Sequence, residues 1–139
     1  MSEIKIKGRG VIGGTVRAEA LVCADSILGM AGFNDQTGEI SEVGHAQKGT
    51  KFDGKILVLP CSKGSCGWSA HFHSAKMNGH IPAGWIFSQM DSKAGVGCVV
   101  LDIPAVADFP DDVDLFALIE NGDILEINGD TGEVVIFKE

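Results

Sequence analysis

Apolar and polar residues follow two different rhythms along this chain. Near its start, Glu3 to Lys7 alternates, and alternation resumes from Thr15 to Val22 after the run Gly8-Arg-Gly-Val-Ile-Gly-Gly14. The pattern predicts a strand, a glycine turn and a second strand. Gly8, Gly10, Gly13 and Gly14 resemble a phosphate loop only superficially, because no helical segment follows and Val16, Ala18 and Ala20 keep alternating; a β-turn or bulge fits better. Ser26 to Gly38 is punctuated by glycine and carries the turn residues Asn34 and Asp35, which predicts a loop long enough to be functional. His45 follows in a further loop segment.

The centre of the chain reads differently. Ile56 to Leu59 is a continuous apolar run, the pattern of a strand covered on both faces. It stops at Pro60, crosses the small-residue turn Cys61-Ser-Lys-Gly-Ser-Cys66, and gives way to a helix expected from Ser65 to about Met77. Trp68, Phe72 and Ala75, three or four apart, would form its buried stripe. Asn78-Gly79 would stop it, with Lys76 near its negative end. Ile81–Phe87 and Gly97–Leu101 predict two further strands joined by a short helix or loop over Ser88–Lys93, with Ile103-Pro-Ala-Val106 continuing the second. Asp108 to Asp114 reads as an acidic surface loop. At the end, two alternating runs flank Asn128-Gly129, a hairpin signal.

Composition narrows the class. A chain of 139 residues fits a single domain, 1–139, with a core large enough to need no disulfide or structural metal. An apolar content of 45% with 19 glycines and only 6% aromatics favours an α/β or β-rich domain over a helical bundle. The net charge of −8 argues against a nucleic-acid partner, since no basic patch could neutralise phosphates. Met1 to Lys7 has neither the apolar core of a signal peptide nor the length of a membrane span, so a cytoplasmic protein is expected. Cys23, Cys61, Cys66 and Cys98 lack CxxC spacing and are expected as free thiols.

The strand–turn–helix stretch is the best place for chemistry. N–H groups at a helix start attract a carboxylate or phosphate, and Lys63 would add a full charge beside them. Ser65 is the candidate reactive hydroxyl, and its plain alternative is a helix cap. Ser69 lies four residues on, where a second hydroxyl could face the same ligand. His71 and His73 diverge on a helix, which excludes a shared metal site and leaves one of them free to line the pocket.

Quoted together, Glu19-Ala-Leu-Val22, Thr37-Gly-Glu-Ile40 with His45, Gly54-Lys-Ile-Leu-Val-Leu-Pro60, Lys63-Gly-Ser65, Ile103-Pro-Ala-Val106, Asn121-Gly-Asp123 and Gly132-Glu-Val-Val135 resemble the small subunit, or swivelling domain, of aconitase X-type dehydratases. The resemblance implies a swivelling β/β/α domain with a barrel-like sheet and few helices. It implies a hydro-lyase that dehydrates a small carboxylate or phosphate substrate of the phosphomevalonate or hydroxyproline class. It carries the role of catalytic base, in alkoxide form, onto Ser65 alone; Lys63, Gly64, Cys66 and Ser69 are the residues expected around it to bind substrate. The iron–sulfur cluster would sit on a large partner subunit of a heterodimer, because Cys61 and Cys66 are too few to hold one and no metal site is expected on this chain. The chain departs from the family pattern where Ser62-Lys63 replaces Gly-Arg and Trp68-Ser69 replaces a Gly-Ser pair.

Two other functions compete. The chain's end is similar to the phosphohistidine swivelling domain of phosphoenolpyruvate-utilising enzymes, but His71 and His73 lack the glycine pair that precedes the phosphorylated histidine there. A non-catalytic binding subunit would use Ser65 only as a cap.

Overall fold

The computed structural model of the chain describes residues 2–24, 26–27, 32–62 and 68–138. At its centre lies β4 (Ile56–Leu59), with β3 (Thr15–Val22) and β5 (Gly84–Phe87) parallel on either side and β6 (Ala105–Ala107) parallel to β5. The remaining pairings are antiparallel. β2 (Arg9–Ile12) joins β6, β7 (Ile124–Asn128) joins β3, β8 (Glu133–Lys138) joins β7, and β1 (Ser2–Lys7) joins β8. The order is therefore β1-β8-β7-β3-β4-β5-β6-β2. This ladder is not closed into a barrel, yet its two edges, β1 and β2, are consecutive in the chain and separated by Gly8 alone. β3 joins the halves, because Thr15 to Glu19 pair with β7 while Ala20 to Val22 pair with β4.

Period-two alternation sorts the buried strands between two cores. Leu57, Leu59, Trp85, Phe87, Ala105 and Ala107 face a layer of two helices, α1 (Trp68–Met77) and α2 (Ser92–Leu101). Ile56, Val58, Ile86 and Val106 face Leu125, Ile127, Val134 and Ile136 of the terminal hairpin, with Leu115 of the short α3 (Leu115–Leu118). The result is the β/β/α layering expected from the sequence. Successive parallel strands advance in one direction across the sheet, so crossovers of one hand place α1 and α2 on the same face. Among the described residues, no helix is long and apolar enough to cross a membrane.

Two expectations need correction. Gly97–Leu101 is not a strand but the second half of α2. Its valines favour strands locally, but Asp91 caps the helix by accepting from Ala94 N–H at 3.0 Å, and Ala94, Gly97, Cys98 and Leu101 recur at helical spacing on the buried side. Packing outweighs propensity here. The glycine stretch before Thr15 is a turn only at Gly13 and Gly14, since Arg9 to Ile12 form β2, but the bulge alternative holds there, because the register against β6 shifts between Gly10 and Ile12. Lys76 stands in the last turn of α1, as expected, and its ammonium also reaches the neighbouring helix, donating at 3.3 Å to the Val100 and Leu101 carbonyls of α2.

The early glycines serve a backbone crossing. The hairpin between β7 and β8 turns through Gly129 to Gly132, with Asn128 Oδ1 accepting from Asp130 and Thr131 N–H at 2.9 and 3.2 Å. Its tip lies on the Gly8–Gly14 segment: Gly129 N–H donates to Gly14 O at 2.8 Å and Gly8 N–H to Gly132 O at 2.9 Å. A methyl on Gly129 would stand 1.7 Å from Ile12 O, and one on Gly10 2.2 Å from Gly129 O. These are main-chain atoms that cannot step aside. Gly129→Ala should therefore lower stability by about 2–3 kcal/mol. Gly122→Ala, at φ +90° with open space around it, should cost only about 1 kcal/mol of conformational strain. Urea midpoints compare the two, and equal losses would refute the crossing.

Candidate active site

β3, β4 and β5 run parallel and end on one side of the sheet, where the turns that follow them converge, the usual place for a ligand in an open α/β sheet. Hydrogen bonds carry the ladder past the strand ends: Cys23 N–H to Val58 O at 2.9 Å, Ser88 N–H to Leu59 O and Gln89 N–H to Pro60 O, both at 3.0 Å. From β4 the chain passes Pro60, Cys61 and Ser62, and α1 begins at Trp68. Lys63, Gly64, Ser65 and Cys66 lie outside the described residues. Both flanks of that segment are described, and both are held.

On the first flank, the Asp91 carboxylate accepts from Ser62 twice, from its N–H and from its hydroxyl, each at 2.7 Å. Cys61 O accepts from the Ser26 hydroxyl. On the second flank, Trp68 is fully buried, and its indole N–H donates to Ile27 O at 2.9 Å. Ser26 itself sits at φ +61°, a left-handed conformation that a non-glycine residue adopts only when its surroundings enforce it. His45 is one of those surroundings. Gln47 N–H donates to its Nδ1 at 3.0 Å, so its proton is on Nε2, which donates to Ser26 O at 2.7 Å. His45 thus braces the loop after β3 from a buried position.

A pocket of about 400 Å³ opens beside this turn, lined by Cys61, Ser62, Gln89, Met90, Asp91 and Lys93 among others. Burial pushes the Asp91 carboxyl up, but hydrogen bonds from Ala94, from Ser62 twice and from Lys93 outweigh it and hold the group below the ordinary carboxylate range. Asp91 is therefore an anion at neutral pH. Burial, with the Asp91 charge behind it, pushes the Cys61 thiol up, the opposite of what a reactive thiolate needs. Ser69 is half-buried on α1. His71 is turned to the loop, its Nε2 2.7 Å from Phe33 O, and His73 is exposed; neither lines this pocket. Among the described residues, no three His, Cys, Asp or Glu side chains gather as a metal site would require.

Sequence reasoning missed Asp91 and Ser26. Asp91 left a signal, an Asp followed by Ser-Lys-Ala, which is how a capped helix starts. Ser26 left none, because its role rests on a bond to a carbonyl distant in sequence.

The family profile of the aconitase X swivel domain matches residues 5–136. The chain belongs to the aconitase X swivel-domain family. It is 30% identical over 138 residues to the phosphomevalonate dehydratase small subunit of Methanosarcina acetivorans, covering 99% of this chain and 94% of that one. It is 33% identical over 131 residues to the subunit of the same name from Thermococcus sibiricus, covering 94% and 97%. A crystal structure of Thermococcus kodakaraensis aconitase X superposes with a TM-score of 0.88 at 28% identity, covering 97% of this chain and 99% of that one. By this family membership the chain is a subunit of the hydro-lyase, or dehydratase, class.

The thiols offer a check on the packing around the site. Burial pushes Cys23 and Cys98 up to about 12, with the Glu42 and Asp91 charges adding to the shift in turn. At pH 8 only about one in ten thousand of each would be thiolate, the reactive form. Native protein treated with iodoacetamide should leave both unmodified by peptide mass mapping, whereas unfolding in urea should expose both. Rapid native labelling of either would mean that the core beneath α2 opens.

Proposed function

We propose that this chain is the small subunit of a phosphomevalonate dehydratase, with Ser65 as the base that removes the proton next to the substrate carboxylate. The observation that carries this reading is the end-to-end match with phosphomevalonate dehydratase small subunits, with nearly all of both chains covered. The geometry supports it. In sequence Ser65 falls between two residues that the structure holds, Ser62 and Trp68, after the central parallel strand.

Loss of water needs a base for a weakly acidic C–H and a Lewis acid for the departing hydroxide. A serine can be that base only where neighbouring N–H groups and a cation stabilise its alkoxide, and Lys63 is the nearest cation in sequence. On this reading Lys63, Gly64, Cys66 and Ser69 bind the phosphate or carboxylate. Cys61 and Cys66 are too few to hold an iron–sulfur cluster, so the reading assigns the cluster, which would act as the Lewis acid, to the large subunit.

The test is reconstitution with the large subunit and turnover of phosphomevalonate. Ser65→Ala should lower the rate by roughly a hundredfold to ten-thousandfold, the contribution of a general base. As a lost cap alone it would cost only about 1 kcal/mol of stability. Ser65→Asp, which keeps a cap, should fold normally, bind the large subunit and be inactive. Ser69→Ala should turn over with weakened substrate binding. Near-parental turnover in Ser65→Ala would remove the base assignment.

A further inference from the structure

We propose that Asp91 is a positioning residue for the dehydration, acting through Ser62 rather than on the substrate. The inference rests on the dehydratase reading above and adds a residue to it. Asp91 lies on the pocket wall, but its oxygens are committed to the protein. Oδ2 accepts from Ser62 N–H, and Oδ1 accepts from the Ser62 hydroxyl and from Ala94 N–H. Holding both donors of one residue fixes the main chain of Ser62 as well as its side chain. A carboxylate occupied in this way is a poor proton acceptor for a substrate and a good clamp.

What Asp91 clamps Ser62 to is rigid. It is the N-cap of α2, whose Ala94, Cys98 and Leu101 are buried against the sheet. The same helix meets the other flank. The Trp68 ring lies over Gly97, where an added methyl would stand 2.6 Å from ring atom Cζ3. One helix thus fixes the last described residue before the Ser65 segment and the first after it. A reacting group displaced by about 1 Å can lose on the order of a hundredfold in rate, so a loosened Ser62 should be felt in turnover before it is felt in affinity.

The experiment uses the complex reconstituted with its large subunit, assayed on phosphomevalonate. Asp91→Asn keeps the shape and a cap for α2 but gives Ser62 one acceptor oxygen in place of two. The expected result is a kcat lowered about tenfold to a hundredfold, a KM within about threefold of the parent and an almost unchanged melting temperature. Ser62→Ala removes one of the two donors, so Asp91→Asn should cost much less in kcat on that background. Equal factors on both backgrounds, or parental kcat in Asp91→Asn, would overturn the proposal. A residue that merely capped α2 would keep parental kcat and melting temperature in Asp91→Asn, because asparagine caps as well, and would show no such coupling. Ser65→Ala in the same assay tests the base assignment separately. Should the parent complex leave phosphomevalonate untouched, the substrate reading fails, and amide exchange at Ser62 in the full chain decides for Asp91. Faster exchange in Asp91→Asn supports the clamp, and unchanged exchange overturns it.

Discussion

A strand with a separate core on each face cannot slip by one residue, because every side chain would change sides. β4 is such a strand. Ile56 and Val58 belong to the core shared with the terminal hairpin, and Leu57 and Leu59 to the core shared with α1 and α2. Its register thus fixes both outer layers at once, and it also fixes where the chain leaves the sheet at Pro60. The segment that carries Ser65 follows directly on this doubly constrained strand.

The second constraint is a crossing of main chains. The tip of the last hairpin rests on the Gly8–Gly14 segment so closely that methyl groups are excluded from both sides. β1 and β2 continue past this crossing, one onto β8 and the other onto β6, so a chain interrupted only by Gly8 borders both edges of the sheet. A sheet built this way needs no closed ladder to behave as a barrel.

Most of this frame was legible in the sequence because its signals are local. The apolar run of β4, the Trp68–Phe72–Ala75 stripe and the alternation around Asn128-Gly129 each report burial of their own side chains, and all three stand where they were expected. α2 was misread for the opposite reason. Gly95, Gly97 and three valines speak against a helix locally, and what makes it one is a carboxylate cap together with the bulk of Trp68 across the interface. The glycine run misled similarly, since a glycine chosen for close approach looks in sequence like one chosen for a turn. At the site, Ser26 and Asp91 escaped notice because hydrogen bonds across long sequence separations leave no periodicity.

The departures from the family pattern now separate by cause. Ser62, where the resemblance would have a glycine, turns its hydroxyl to Asp91, and Trp68, where it would have another, buries its ring against Gly97. Both substitutions are absorbed by α2, one at its cap and one at its middle. They bear on how the helix layer is locked to the sheet, and Trp68, fully buried, is not among the residues lining the pocket. Substrate chemistry is therefore not what these two changes record. Lys63 is different in kind. A compact ammonium in place of a guanidinium gives up the two-pronged bond to a carboxylate or phosphate but keeps the charge. On the dehydratase reading proposed above, Lys63 would hold an anionic substrate by attraction rather than by a fixed fork, which would place more of the burden of orientation on the held flanks, Ser62 and Trp68.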